Sequence, residues 1–593
     1  MSPVVVGSQR VEMHRRTETS LKVVSNSGKV IRALRHLAWL APIAIATAAA
    51  AQDVSLRLKN GSLLIEGQLL SFDGTNYTLR SKQLGTLTLN ADRFDCTGAA
   101  CRPTSTKAAS APPQAIAAAA SPTASSGASP VALPAQRITL HVPASISPTL
   151  LPDLIKGWTG SIGGSVVREI GAQTGEIRVR ALNRAGAEIA RFDVHRRSPT
   201  LAFEALRTGT ADVVVTDRRI ADTEATALVA TAGNMRTAER ENVIALDALA
   251  VVISPERQLS SISLANLTGI FSGQITDWAQ LGQPSGKITV FASETTTGPG
   301  SLFETLFLTA QKRALAASAV QLPSSAAVAE AIVEQPGGIG VTAFADMRSA
   351  KPLDIEQSCG LHTQASAFSI KTEEYPLFRR IYAYTARPAI NPLARLLLEF
   401  VASPAGQEIV ADHQLVSQTV DSLPLDGQGQ RFKFAAGARS SAQAAPLQRL
   451  LADVGPARRL SMTIRFESGT SQIESKSQNE LANLVSLLTQ PGEERRQIMM
   501  LGFSDTVGGA EQNAALANRR SLQARTALLT SAAGRIDGGR ILARGYETLA
   551  PVACENSERG RQLNRRVELW VRDVPTPSTP PVSPTPPTTS TPR

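Results

Sequence analysis

A chain of 593 residues with 42% hydrophobic content has material for several cores rather than one. Its net charge of +11 and sequence pI near 9.8 call for an anionic partner, yet an aromatic content of 4% offers few stacking platforms for nucleic acid. Four cysteines are too few for a disulfide scaffold, CxxC is absent, and the six histidines show no ligand spacing such as HExxH, so neither a metal nor another cofactor is expected.

Arg32, Arg35 and His36 precede "LAWLAPIAIATAAAAQ", an apolar run too short to span a bilayer and ending in small residues. Residues 1–51 therefore read as a secretory signal cleaved after Ala51, with a membrane anchor as the weaker alternative and a later start at Met13 as one account of the long leader. Export makes a wall polymer, a small anion or lipid headgroups better partners than nucleic acid.

Residues 52–103 alternate like short strands, with Asn60-Gly61 and Asp73-Gly74 as hairpin signals. So small a module buries little surface, and Cys96 and Cys101 in "CTGAAC" are close enough to staple it. Residues 104–137, rich in Ala, Ser and Pro, are a linker.

From 138 to 422, runs such as "RITLHV", "ADVVVT", "ALAVVIS" and "KITVFA" alternate with helical stretches, which is α/β grammar. Three strand-to-helix junctions carry hydroxyls: Ser147 and Thr149 in the first, Ser198 and Thr200 in the second with Asp217 ending the next strand, and Thr297, Gly298 and Gly300 in the third. Free N–H groups and hydroxyls at helix N-termini hold anions; singly, each junction reads better as an ordinary cap, and it is three in one α/β unit that point toward an anion site. Residues 423–456 form a looser linker. Residues 457–573 form a compact block of strands and helices, and the Pro/Thr-rich 574–593 cannot build a core and is expected to be a disordered tail.

The segment "LANLTGIFSGQITDWAQLG" at 264–282, with "QPGGIGVTAF" and "EEYPLFRRIYAYT", resembles the periplasmic phosphate-binding proteins of ABC importers over most of 138–422. The resemblance implies a two-lobed α/β, type II periplasmic-binding-protein fold closing on a small oxyanion, phosphate first, and an ABC permease as a partner. It places Ser147 and Thr149 in the first binding loop, Ser198 in the second, and Thr297 and Gly298 in the third. Asp217 falls on the carboxylate that accepts a hydrogen bond from a protonated phosphate oxygen, which disfavours sulfate. The third loop departs from the pattern: Ser293 stands where the family has arginine, and Pro299 supplies neither hydroxyl nor N–H. Arg196, Arg197 and Arg218 are the candidates to replace that charge.

Residues 457–573 resemble the α+β OmpA-like peptidoglycan-binding domain through "GFSDTVG", "NAALANRRS" and "GYETLAP...NSERGRQLNRRVEL". By that resemblance Asp505 takes the ammonium and Arg520 the carboxylate of diaminopimelate in the stem peptide, a zwitterion that calls for opposed charges. Asn513 holds the loop or the ligand, while Arg519, about 100° away on the helix, faces solvent. Asn564, Arg565 and Arg566 read as pairing and capping groups near the last strand. Cys359 and Cys554, distant in sequence, are free or paired.

The expectation is a multidomain, non-enzymatic periplasmic protein: one domain binds an anion and the other tethers it to peptidoglycan. An enzyme lacks support, since no GxSxG elbow, metal cluster or placed histidine base is found. The other alternative is a structural envelope linker whose middle domain no longer binds for transport.

Overall fold

The computed structural model describes residues 53–573 except 59–63, 73–75, 82–84, 92–93, 99–100, 102–135, 172–174, 296, 387–390, 429–430, 433–443, 468–469 and 471. The segment expected to be a signal, both expected hairpin turns, nearly all of the expected 104–137 linker and residues 574–593 lie outside the described residues.

In the first module five antiparallel strands run in the order Gly85–Asn90, Asn76–Ser81, Leu64–Phe72, Asp53–Leu58, Phe94–Thr97. Alternation along the strands gathers Val54, Leu56, Tyr77 and Leu79 into a core of few side chains. Cys96 and Cys101 are disulfide-bonded against it, Cα atoms 5.6 Å apart.

The middle domain is built on a mixed sheet in which the strands Glu241–Ile253 and Phe378–Thr385 lie side by side at the centre. They pair antiparallel from Glu241 opposite Tyr384 to Ala248 opposite Phe378, and they join the two lobes. Nearly every side chain of Glu241–Ile253 is buried, as expected for a strand covered on both faces. One core packs Leu140, Leu154, Phe192 and Leu397 in the first lobe. The other runs from Phe203 along Leu249 and Val251 to Phe271, Trp278 and Ile339 in the second. Three strands, Gln136–Val142, Glu188–Arg196 and Thr289–Ser293, lead into the helices Leu150–Ser161, Pro199–Thr208 and Gly298–Phe303. Their junctions are the three loops singled out above.

In the end domain the sheet order is Ser422–Pro424, Arg458–Arg465, Arg566–Asp573, Arg496–Gly502, Ile541–Gly545. The strand Arg496–Gly502 is apolar at successive positions, so both its faces need cover. Ile498 and Met500 pack on the helices Ser475–Leu488 and Ala510–Ala532. Met499 and Leu501 pack on the opposite side with Trp570 and with Leu447, Leu450 and Val454. Those last three belong to a helix, Ala444–Val454, inside the segment 423–456 that its composition marks as a linker. The segment is thus partly a layer of the end domain, because the amphipathic spacing Leu447, Leu450, Val454 supplies the cover the sheet requires.

The middle and end domains are joined along a polar seam. Arg219 bridges Glu241 at 2.9 Å and Glu467 at 2.6 Å. Arg380 bridges Glu373 at 2.5 Å and Glu474 at 3.1 Å, and Arg459 pairs with Glu374. A disulfide links Cys359 of the second lobe to Cys554 of the end domain, Cα atoms 5.8 Å apart. No helix among the described residues is long and apolar enough to cross a membrane.

Candidate functional site

In the middle domain the structure brings Asp217 to the first loop, at Ser145. Ser145 Oγ donates to Asp217 Oδ2 at 2.5 Å. Ser147 and Thr149, expected there, are exposed and bond each other at 3.1 Å. The correction has a simple cause: Ser145 lies three residues past the strand end, whereas Ser147 and Thr149 lie in the turn that starts the helix, two and four residues farther along. Ser198 is an exposed N-cap whose hydroxyl makes no capping bond, so it is open to a ligand. Thr297 is engaged as a cap, accepting from Gly300 N at 3.1 Å and donating to Glu294 O at 2.7 Å. Gly298 packs so near the first loop that a Cβ there would lie 2.8 Å from Ser145 O. The first and third loops, one from each lobe, therefore touch, and only glycine permits it. Ser293 is buried with no hydrogen-bond partner for its hydroxyl among the described residues.

The charge of the cleft comes from an arginine that sequence reading passed over. Arg379 donates to Asp217 Oδ2 at 2.9 Å and to Asp247 Oδ2 at 3.0 and 2.8 Å. Burial pushes the Asp247 carboxyl up, Asp217 adds to the rise, and Arg379 opposes it. Of the three arginines considered earlier, Arg196 donates at 2.8 Å to Ile146 O and to Ala144 O and so fixes the first loop's backbone. Arg218 is held by Glu224 at 2.7 and 2.8 Å, and Arg197 donates to Arg196 O. The signal for Arg379 was present in "EEYPLFRRIYAYT", where two arginines interrupt a buried strand. A charge there must meet carboxylates.

In the end domain a close approach sets the second site. A Cβ on Gly502 would lie 2.1 Å from Ala517 O, so glycine lets the helix Ala510–Ala532 press against the end of its strand. Asp505, three residues past that strand, is thereby brought beside the helix, buried at 6% exposure. Arg520 is half-buried, its Nη1 3.5 Å from Phe503 O and its guanidinium 5.8 Å from the Phe466 ring. Burial lowers its pKa, Arg565 lowers it further, and Asp505 opposes them. Asn513 is buried on the same helix and Arg519 is exposed. Arg565, read from sequence as a pairing group, pairs with Asp505 at 2.7 Å and with Glu558 at 2.5 Å. Asn564 and Arg566 are structural: Asn564 Oδ1 accepts from Val552 N and Ala553 N, and Arg566 is buried against Glu568 at 2.6 Å. Asp505, Arg520 and Arg565 thus bring one carboxylate and two guanidiniums together, a set that matches an ammonium beside a carboxylate.

A family model described as the PBP superfamily domain matches residues 189–405, and one for the OmpA family matches 465–565. Over 182 residues the chain is 25% identical to the phosphate-binding protein PstS of Borreliella burgdorferi, covering 29% of this chain and 64% of that protein. Over 113 residues it is 30% identical to outer membrane porin F of Pseudomonas aeruginosa, covering 19% of this chain and 31% of that one. The chain thus spans less than two thirds of the length of each of these relatives. A solved ABC-type phosphate transport receptor from Vibrio cholerae aligns over 47% of this chain and 99% of its own, with a TM-score of 0.36 and 18% identity. The chain joins a PBP superfamily domain to a C-terminal OmpA family domain, behind a small β module.

Proposed function

We propose that the chain is a periplasmic solute-binding protein held non-covalently to peptidoglycan. Its OmpA domain grips the diaminopimelate end of a stem peptide with Asp505, Arg520 and Arg565, and Asn513 shapes the helix side of that cleft. The observation that carries this reading is the proximity of a buried carboxylate, Asp505, to a half-buried arginine, Arg520, that has no ion pair among the described residues. Sedimentation of the chain with purified diaminopimelate-type peptidoglycan tests it; a chain that stays in the supernatant at every wall concentration refutes it.

The PBP domain, in the same reading, takes a small oxyanion, hydrogen phosphate before others. Ser145, Ser198 and the N–H groups behind Gly298 surround it, and Asp217 accepts its proton. The PstS proteins among the relatives support this assignment, and an ABC permease is the partner it implies. Asp217→Asn replaces an acceptor by a donor, so discrimination against sulfate should relax; an unpaired buried proton costs about 1–3 kcal/mol. Calorimetric titration with phosphate and sulfate decides it.

A second reading, a structural envelope linker, is favoured by the pairing of Arg379 with two carboxylates and by the cross-linked seam. Absence of any oxyanion binding in that titration selects it.

A further inference from the structure

A cavity of about 320 Å3 lies at the seam between the domains, bounded by Asp217, Arg379 and Arg380 on one side and by Arg465, Arg559 and Gln562 on the other. It shares Asp217 and Arg379 with the PBP site and meets the OmpA domain on its other side. There the PBP site is short of positive charge: Arg379 is engaged by both Asp217 and Asp247 and has no ion pair left to give an incoming anion. An anion settling beside Asp217 needs a further cation within reach.

Most cations around the cavity are already matched. Arg218 is held by Glu224, Arg219 by Glu241 and Glu467, and Arg380 by Glu373 and Glu474. Arg465 donates to Leu563 O at 3.1 Å and Thr372 O at 2.9 Å and lies 3.5 Å from Glu373. Arg559 differs. It forms no ion pair or hydrogen bond among the described residues, and its guanidinium lies 6.0 Å from the centre of the Phe378 ring. A guanidinium resting on an aromatic face keeps its edge N–H groups for an oxyanion.

We propose that Arg559 of the OmpA domain completes the anion site of the PBP domain, so that hydrogen phosphate at the seam is bound by both domains at once. The proposal rests on the oxyanion reading above and adds the second domain to it. Arg559 supplies the charge that the Asp217–Arg379–Asp247 group lacks. Asp217 supplies the acceptor that selects a protonated oxyanion. The binding site and the wall anchor are then one unit, and phosphate strengthens the docking of one on the other by mass action.

The test is calorimetric titration of the full chain with inorganic phosphate, using the parent, Arg559→Gln and Arg559→Lys. Arg559→Gln should bind at least tenfold more weakly, and Arg559→Lys should keep most of the affinity. Both should sediment with peptidoglycan like the parent, which shows that they are folded. If Arg559→Gln binds phosphate like the parent, or if Arg559→Lys falls as far as Arg559→Gln, the role given to this charge is wrong while the oxyanion reading stands. If the parent itself binds no phosphate, the oxyanion reading fails and this inference fails with it.

Discussion

Arg520→Ala removes a cation beside Asp505 that has no ion pair among the described residues, and its surroundings set two separable expectations. The first concerns stability. The guanidinium is half-buried, its hydrogen bond to Phe503 O is long at 3.5 Å, and its pKa is depressed by burial and by Arg565. Taking it away relieves desolvation and like-charge repulsion, so the thermal midpoint should stay within about 2 °C of the parent or rise, corresponding to a change of roughly 0.5 kcal/mol. The second concerns binding. A hydrogen bond to a charged group contributes about 1.5–3 kcal/mol, which is roughly 10- to 150-fold in affinity. Sedimentation with purified peptidoglycan over a range of wall concentrations reads that factor. Arg519→Ala, on the exposed face of the same helix, should match the parent. Unchanged sedimentation of Arg520→Ala, with a loss in Arg519→Ala, would place the wall contact on the other face and refute the reasoning. A fall in binding that tracks a fall in midpoint would refute it as well.

Gly298→Ala puts a Cβ 2.8 Å from Ser145 O and forces the two loops apart. At about 1–3 kcal/mol for such overpacking, phosphate affinity by calorimetry should drop about tenfold while wall sedimentation is unaffected; unchanged affinity means these loops do not close on the ligand. Replacing Cys359 and Cys554 together by serine opens a crosslink of sequence separation 195, for which chain entropy gives about 5 kcal/mol. Proteolysis at the seam and a lower urea midpoint are the expected signs, and parental resistance would show that the ion pairs suffice. Glu568→Gln leaves Arg431 and Arg566 buried without their carboxylate, bonded now at 2.6 to 2.8 Å. It should cost about 3–5 kcal/mol in urea melts, and a loss below about 1 kcal/mol refutes a structural role for the pair. Burial pushes Glu568 up, yet Arg431, Arg459 and Arg566 hold it well below its ordinary 4.5; Glu373 is likewise held down, by Arg380, Lys476 and Arg465. Carboxyls depressed in the folded state stabilise it above their unfolded pKa and release that stability as pH falls. Stability should therefore be flat from pH 7 to about 5 and decline below about 4.5, and a decline on the alkaline side instead would contradict it.

Residues whose neighbours are close in sequence were the legible ones. The strand runs, the junctions at Ser198 and Thr297, and the position of Asp505 and Arg520 on strand end and helix all follow from local pattern. What escaped depends on contacts between distant segments. Ser145 and Asp217 meet only when Gln136–Val142 and Val213–Thr216 pair in parallel. Arg379 acquires meaning from Asp247 on the facing strand, and Arg565 from Asp505 across the sheet. The helix Ala444–Val454 hid within a Gly, Ala and Gln-rich stretch, although "QIMMLGF" announced a strand needing cover on two sides. Cys359 and Cys554 carry no spacing signal at all, since their pairing is a property of how two domains dock.

That docking also determines how mechanical load travels. In a tandem chain joined only by a linker, tension on the wall-bound end stretches the linker and leaves the other domain slack. Here Cys554 lies between Ala553, whose N–H bonds Asn564, and Glu555, a neighbour of the Asp505 loop through Thr506 N, and it is covalently fixed to Cys359 of the second lobe. Under the proposed anchoring, tension applied at Asp505 would enter that lobe directly, while Arg219 and Glu467 would pass it to the first. The end domain would then act as a strut across both lobes, and strain applied to it would bear on the gap between them.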